Sequence, residues 1–276
     1  MLKDISLAYL FGQKPERAIA YLKAKGMTIS FDWYEVLDDA HNRAFTVAKA
    51  MKLDVLQDLR DGVAKAMDDG LTYQDFRRDL EPTLRAKGWW GYKEVLNEKT
   101  GELRMAQLGS PARLNLIYEQ NVQSIYSAGR YRSQMDFAKS RPYWMYVAVM
   151  DMRTRPTHAA MNGQIFRYDD EVWNSFYPPL DWRCRCRVRA LDDEGMINMV
   201  KDADGVWNAE GSKGRLGSRE VKLNDGAVAT VATYRTPDPV TGKAITVATG
   251  AGFNSTPGKA WEPDPAKYDP PLRKYL

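Results

Sequence analysis

Apolar residues recur at three- and four-residue spacing through much of the first half of the chain. A helical region is predicted from about Tyr34, and its pattern is most regular just before Gly70. The regular apolar positions are Leu56, Leu59, Val63 and Met67. This spacing indicates an amphipathic helix that ends near Gly70. A shorter helix is predicted over residues 14–25, where a proline stands in the first turn and Gly26 follows the last residue.

The segment after Gly70 predicts a further amphipathic helix and then an excursion on the surface. Thr72 is followed three residues later by Asp75, which is the spacing of a capping box at a helix start. Apolar residues then repeat every four positions, although Pro82 should kink or split this helix. Residues 94–110 are polar and include a Lys-Thr-Gly sequence, so we expect a hairpin or an exposed loop there.

A long helix is predicted between Ser110 and Arg141. The pair Ser110-Pro111 is typical of a helix start, and Arg141 precedes a proline, which disfavours a helical backbone at that residue. The apolar stripe of this helix consists of Leu114, Ile117, Tyr118, Val122, Ile125, Tyr126 and Gly129. Residues 1–142 are therefore expected to form a mainly helical N-terminal region.

The hydrophobic pattern changes at residue 143. Residues 143–150 are aromatic, β-branched or otherwise apolar, which predicts a strand that is buried on both faces. We expect residues 143–200 to form a small mixed α+β region that packs on the long helix 111–140. The fold class that the whole pattern predicts is α+β.

The last part of the chain, residues 201–276, is rich in Gly, Asp, Asn, Thr and Pro. This composition predicts a loop-rich region with short strands near residues 228–234 and 245–248. Residues 261–271 contain four prolines and are expected to form an extended C-terminal arm.

Composition narrows the class of protein only modestly. The 276-residue chain is 44% hydrophobic and 28% charged, which is ordinary for a folded protein, and its net charge of +4 falls short of the positive field of a dedicated DNA-binding protein. The two cysteines are separated by one residue and cannot join distant parts of the fold, so synthesis in a reducing cytoplasm is expected. No apolar segment approaches the roughly 20 residues that a membrane span needs.

Arginine alternates with other residues from position 183 to position 189. If this segment is a strand, the two-residue period places Arg183, Arg185, Arg187 and Arg189 on one face and Cys184, Cys186 and Val188 on the other. Two interpretations of the arginine face stay open: a structural ladder of ion pairs, or a surface that binds nucleic acid or an acidic partner. The acidic residues near enough in sequence to neutralise such a ladder are Asp169, Asp170, Glu171 and Asp181.

Both cysteines lie close in sequence to one of the two histidines. Cys184, Cys186 and His158, with Asp151 at the end of the preceding strand, would make an acceptable tetrahedral ligand set for a structural zinc ion. The alternative is a pair of buried, reduced thiols beside a hydrogen-bonded histidine. A third use of the same residues is a thiolate nucleophile with His158 as base and Asp151 as orienting group.

Three short blocks in this stretch share their order and spacing with a known family. Residues 151–163 read Asp-Met-Arg-Thr-Arg-Pro-Thr-His-Ala-Ala-Met-Asn-Gly, residues 177–179 read Tyr-Pro-Pro, and residues 184–188 read Cys-Arg-Cys-Arg-Val. Together they resemble the signature of the Mu F-like head morphogenesis proteins of tailed bacteriophages. The resemblance is strongest over residues 50–190, and residues 252–258 resemble a recurrent C-terminal element of that family.

The resemblance implies a minor capsid protein that is present in few copies and acts in prohead assembly near the portal vertex. Its partners would be the portal protein and the major capsid or scaffold proteins, with DNA as a further contact and no membrane. It would reside in the host cytoplasm during assembly and afterwards in the phage head. The motif residues would then define the fold, with Asp151 accepting hydrogen bonds from Arg153, Thr154 or His158 at a tight turn.

A second hypothesis comes from a different class of protein. The Cys, His and Asp residues of the motif would serve a metal- or cysteine-dependent enzyme, such as a nuclease or peptidase, that is delivered with the phage genome. The sequence contains no glycine-rich phosphate loop, no Gly-x-Ser-x-Gly elbow and no His-Glu-x-x-His helix, so the structural role is favoured and the protein is expected not to be an enzyme.

Overall fold

The computed structural model describes residues 15–98, 100–223, 226–238 and 241–261. Most of the arm that was predicted over residues 261–271 lies outside these ranges. The helices are α1 (Glu16–Ala24), α2 (Asp38–Arg43), α3 (Leu53–Asp69), α4 (Tyr73–Ala86), α5 (Pro111–Asp136), α6 (Pro156–Ala159) and α7 (Asp193–Lys201). Two 3-10 helices span Trp33–Glu35 and Glu171–Asn174. No helix within these ranges is long and apolar enough to cross a membrane.

The strands in the described part of the chain form four small sheets, and the α+β fold class predicted from the sequence is confirmed. The strands are β1 (Gly26–Met27), β2 (Ala44–Phe45), β3 (Tyr92–Asn97), β4 (Glu102–Gln107), β5 (Tyr143–Val147), β6 (Gln164–Arg167), β7 (Arg187–Leu191), β8 (Val206–Trp207), β9 (Leu216–Lys222), β10 (Val228–Pro237) and β11 (Ala244–Ala248). The sheet orders are β1-β2, β3-β4, β7-β5-β6-β8 and β11-β10-β9. The β3-β4 hairpin confirms the hairpin or exposed loop that was predicted over residues 94–110.

The helices α3 and α4 follow the predicted pattern, with two corrections. The helical region predicted from about Tyr34 is interrupted by β2, and α3 begins only at Leu53. Gly70 ends α3 in the left-handed conformation at φ +66°, and Thr72 forms the predicted capping box with Asp75. Pro82, however, does not split α4, which runs through it without interruption. Its side chain is exposed, so the hydrogen bond lost at the proline opens towards water while the opposite, buried face of the helix keeps its packing.

The long helix α5 contributes residues to two hydrophobic cores. Leu114 and Ala128 pack in the first core with α1, α3 and α4, whereas Tyr131 packs in the second core with β5, β6 and β7. The helix ends at Asp136, a few residues before the predicted end near Arg141, and a turn covers the remaining residues.

The second core lies between α5 and the four-stranded sheet. In this sheet β5 is antiparallel to both of its neighbours, and it pairs Trp144 with Phe166 on one side and Tyr146 with Val188 on the other. The three-stranded sheet closes the core from the other direction through Tyr234 and Val247. The strands predicted near residues 228–234 and 245–248 are therefore confirmed, whereas β9 was not predicted.

Two strand boundaries in the motif region differ from the sequence prediction. The strand expected over residues 143–150 ends at Val147, and the strand expected to begin at Arg183 begins at Arg187. Arg183 has φ +57°, which lies in the left-handed region and is incompatible with an extended strand. Residues 183–186 are therefore a loop that leads into β7.

Candidate thiol–histidine centre and arginine surface

Two loops of the motif region meet at the end of the four-stranded sheet. The first loop, residues 148–158, follows β5 and includes the start of α6, and the second loop, residues 180–186, leads into β7. Three side-chain contacts join them. Asp151 binds Arg185, Arg155 binds Asp181 with Nε and Oδ2 3.2 Å apart, and the Nδ1 of His158 lies 3.8 Å from the Sγ of Cys186.

Asp151 organises the first loop and also makes the shortest of the three contacts. Its Oδ1 accepts a hydrogen bond from the backbone N–H of Arg153 at 3.0 Å and one from the Thr154 hydroxyl at 3.3 Å. Its two oxygens also bind the guanidinium of Arg185 at 2.6 and 2.8 Å, which holds the pKa of the Asp151 carboxyl well below its usual value. The expected hydrogen bonds from Arg153 and Thr154 are confirmed, whereas His158 faces Cys186 instead.

The two cysteines and His158 converge on one point inside the second core. One potential ligand atom from each of Cys184, Cys186 and His158 lies within 4.8 Å of the others, and each side chain is 3% exposed. Asp151, the fourth residue of the predicted ligand set, lies outside this group because its carboxylate is engaged by Arg185. The structure thus brings together three of the four predicted ligands.

The two thiols and the Tyr146 hydroxyl influence one another's protonation. Hydrogen bonding to Cys184, and then to His158, lowers the pKa of the Cys186 thiol to about 4 despite its burial. The Cys184 thiol has its pKa raised well above the ordinary value by its hydrogen bond to Cys186 and by burial. Burial, and then the charge of the two thiols, raises the pKa of the Tyr146 hydroxyl, which is fully buried. The first proton therefore leaves Cys186.

The predicted arginine ladder exists only in part. Exposure alternates as expected, with Arg183, Arg187 and Arg189 exposed and both cysteines buried, although only Arg187 and Arg189 belong to a strand. Arg185 pairs with Asp151, and the Nε of Arg183 lies 3.5 Å from an Oε2 of Glu119.

The acidic residues proposed as partners for this ladder have other partners or positions. Asp169 pairs with Arg167, and Asp181 pairs with Arg155. Asp170 accepts hydrogen bonds from the backbone N–H groups of Val172 and Ser212, and Glu171 lies in the second 3-10 helix. These acids are next to the arginines in sequence, but the fold directs them to other elements.

A polar stripe on α5, which the sequence analysis missed, fixes the second loop and β7. It consists of Gln120, Gln123, Ser127 and Gln134. Gln120 accepts from the backbone N–H of Arg183 at 3.0 Å, Gln123 donates to the carbonyl of Cys186 at 3.1 Å, and Ser127 donates to the carbonyl of Pro178.

Gln134 completes the polar stripe at the outer edge of the sheet. It donates to the carbonyl of Val188 at 2.9 Å and accepts from the Tyr177 hydroxyl at 2.7 Å. Since β7 is an edge strand, these contacts occupy carbonyls that would otherwise be free to pair with another chain. The spacing of three, four and seven residues places the whole stripe on one side of α5, and this spacing was the signal in the sequence.

Residues 57–189, which include α4, α5, both loops and most of β7, match the family described as Phage Mu protein F like protein. The chain belongs to this Mu F-like family. The match confirms the resemblance stated from the three sequence blocks.

Two curated relatives extend the match beyond the family region. The chain is 50% identical over 189 residues to the "Putative capsid assembly protein F" of Escherichia phage Mu, covering 68% of this chain and 43% of that protein. It is 43% identical over 187 residues to the "Mu-like prophage FluMu F protein" of Haemophilus influenzae, covering 67% of this chain and 44% of that protein. The chain thus spans less than half the length of either relative. No solved structure matches it.

Proposed function

We propose that this protein takes part in head assembly of a Mu-like tailed phage or prophage, as a minor capsid component near the portal. The observation that carries the proposal is the 50% identity to a capsid assembly protein over 189 residues. The family match contains the two tied loops, the polar stripe of α5 and the start of β7, so the elements that define the motif region are those shared with the family.

We propose further that the protein acts through contacts and not through catalysis. A cysteine beside a histidine is the arrangement of a thiolate nucleophile, and the Cys186 pKa is low enough for one. Both side chains are only 3% exposed, however, and Asp151 is held by Arg185 instead of orienting His158. A substrate would have to enter the second core to reach the sulfur, which supports a structural role.

The surface we assign to partner contact is the exposed side of β7, carried by Arg187 and Arg189. Both side chains project from one face of an edge strand, opposite to Cys186 and Val188 in the core. Two guanidinium groups on a short strand suit bidentate pairing with carboxylates of another head protein. The net charge of +4 gives little support to a dominant DNA contact.

The test is complementation of a phage or prophage whose gene for this protein carries an early stop codon. The wild-type gene should restore heads, and a copy with Arg187→Glu and Arg189→Glu should lower particle yield and incorporation of the protein at least tenfold. A matched control variant carries Arg219→Glu and Arg235→Glu, at two arginines that are exposed on β9 and β10. This control should restore the particle yield. Matching thermal unfolding of both purified double variants shows that folding is not the cause.

Each outcome separates one part of the proposal from the others. Normal yield of infectious particles from the stop-codon strain would overturn the role in head assembly. Full complementation by the Arg187 and Arg189 variant would overturn the assigned surface alone. Cross-linking of purified heads followed by mass spectrometry should join this protein to the portal, and cross-links confined to capsid subunits far from the portal would contradict the portal location. A steep loss of binding to a short DNA duplex with rising salt would identify DNA as the partner of β7.

A further inference from the structure

We propose that His158, Cys184 and Cys186 bind one zinc ion that holds the two motif loops together. This inference goes beyond the proposed function and does not depend on it, since the ion would serve the fold whatever the protein assembles with. The three side chains come from α6 and from the loop before β7, which are joined in the chain only through residues 159–183. A single ion would therefore close that long connection at its two ends.

The distances suit a tetrahedral metal site. Zinc lies about 2.3 Å from a cysteine sulfur and about 2.0–2.1 Å from a histidine nitrogen, which puts neighbouring ligand atoms roughly 3.5–3.8 Å apart. The Nδ1 of His158 and the Sγ of Cys186 are 3.8 Å apart, and all three ligand atoms lie within 4.8 Å of one another. Side-chain movements of less than about 1 Å would bring the set to zinc geometry.

The local backbone is arranged to direct both thiols to the same side. Arg185, which stands between them, is drawn outward by Asp151, and the left-handed conformation of Arg183 turns the chain into the loop just before Cys184. A disulfide between residues two apart is geometrically unfavourable, and both cysteines are free.

A second, independent observation at the centre is the Tyr146 hydroxyl. It is fully buried, its oxygen has no hydrogen-bond partner among the described residues, and it lies beside the two cysteines. A buried hydroxyl without an acceptor destabilises the fold, whereas a zinc-bound thiolate is a strong acceptor. The hydroxyl would therefore donate to a thiolate as an outer partner of the ion.

Charge balance explains why a divalent cation suits this place. In the bound state both cysteines are thiolates, the proton that Cys184 still carries is released to solvent, and the two thiolates neutralise the two charges of the ion while His158 binds as neutral imidazole. Two thiolates in a buried core without a cation would repel each other. The mixed nitrogen and sulfur set favours zinc over calcium or magnesium, and a water molecule would take the fourth corner.

The experiment measures metal in the full chain purified without chelator. Elemental analysis should find close to one zinc per chain, and replacement by Co(II) should give the intense visible bands of a tetrahedral thiolate site. The Cys184→Ser and Cys186→Ser variants should each contain at least tenfold less zinc per chain than the wild type. Val188→Ala is the matched control, because Val188 is equally buried beside the centre but offers no ligand atom, and it should keep the metal.

The inference is overturned if the wild-type chain, refolded with excess zinc and dialysed, retains less than a tenth of an equivalent. Equal metal loss in Val188→Ala would also overturn it, since loosening of the core would then explain the cysteine variants. Tyr146→Phe keeps the ring and removes the hydroxyl, and it should weaken zinc binding about 10-fold or more. These readouts need no phage, so their failure leaves the head-assembly proposal standing, and the reverse also holds.

Discussion

Asp151 and Arg185 stand 34 residues apart in the chain, and their side chains form a two-point ion pair with N–O distances of 2.6 and 2.8 Å. The pair joins the loop after β5 to the loop before β7. Because the same carboxylate also accepts hydrogen bonds from Arg153 and Thr154, it fixes the turn of the first loop and the position of the second. The signature residues at these positions are thus parts of one connection.

Replacing Asp151 by Asn should lower the unfolding temperature at pH 7. The folded-state pKa of Asp151 is depressed, chiefly by Arg185, so its stabilisation is present above the unfolded pKa of about 3.9 and is lost as pH falls through the folded pKa. The difference from wild type should therefore shrink below about pH 4.

A double-mutant cycle with Arg185→Gln checks that the two residues act together. The double variant should be little worse than either single variant, since each already removes the pair. Asp204→Asn, at an exposed acid, serves as the control and should change the unfolding temperature little at any pH. A constant difference between wild type and Asp151→Asn from pH 7 to pH 2 would contradict the assignment.

Replacing Gln134 by Leu should destabilise the protein by about 1–3 kcal/mol, because it leaves the carbonyl of Val188 and the hydroxyl of Tyr177 without this partner. Urea unfolding measures the loss. Gln74→Leu, at an exposed position of α4, makes the same chemical change and should have an effect below about 0.5 kcal/mol. If both variants lost a similar free energy of unfolding, the contact of Gln134 with β7 would not be the cause of the destabilisation.

Replacing Gly129 by Val should destabilise the contact between α1 and α5 by roughly 3 kcal/mol. A Cβ at this position would lie 2.9 Å from the backbone nitrogen of Ala18, and backbone cannot move aside as a flexible side chain can. Gly26→Val is the control, because a Cβ there meets no atom closer than 3.9 Å. A Gly129→Val variant as stable as the control would mean that the two helices separate without cost.

Replacing Lys25 by Met should stabilise the protein at neutral pH. Burial lowers the pKa of Lys25 to about 7, so below that value the folded state holds a buried charge that the unfolded chain hydrates freely. Between about pH 7 and pH 10.5 the unfolded lysine binds more protons than the folded one, and the stability of the wild type rises with pH.

The gain in free energy of unfolding of Lys25→Met over the wild type should therefore be largest at pH 6 and should decrease as pH approaches about 10. Denaturant unfolding at pH 6, 8 and 10 measures it. Lys23→Met, at an exposed position two residues earlier in the last turn of α1, should show no such dependence on pH. A Lys25→Met variant less stable than wild type at pH 6 would show that the ammonium group is stabilised by its surroundings.

Local pattern was enough to predict the parts of the fold that local chemistry determines. The end of α3 at Gly70 and the capping box of Thr72 depend on residues within one turn, and both were predicted. The clustering of His158, Cys184 and Cys186 in one stretch of the sequence suggested a shared site, with its use left open, and the three side chains lie together in the structure. Exposure also alternates between the arginines and cysteines as the two-residue period requires.

What the sequence analysis missed depends on contacts between distant segments. The left-handed conformation of Arg183 delays the start of β7, and nothing in the alternating sequence signals it. The partners of the arginines, Asp151 and Glu119, lie 34 and 64 residues away, whereas acids closer in sequence pair elsewhere. Pro82 was predicted to kink or split α4, but it does not split the helix because it lies on the exposed face, and that position depends on tertiary packing.

The position of α5 between two cores bears on how the molecule responds to force and heat. This 26-residue helix is about 39 Å long, and its first part belongs to one core while its end belongs to the other. Melting of either core would remove residues of α5 that the other core packs against, so we expect the two cores to unfold together. A load applied at β7 would pass through the polar stripe into α5 and be shared by the helices that pack against it.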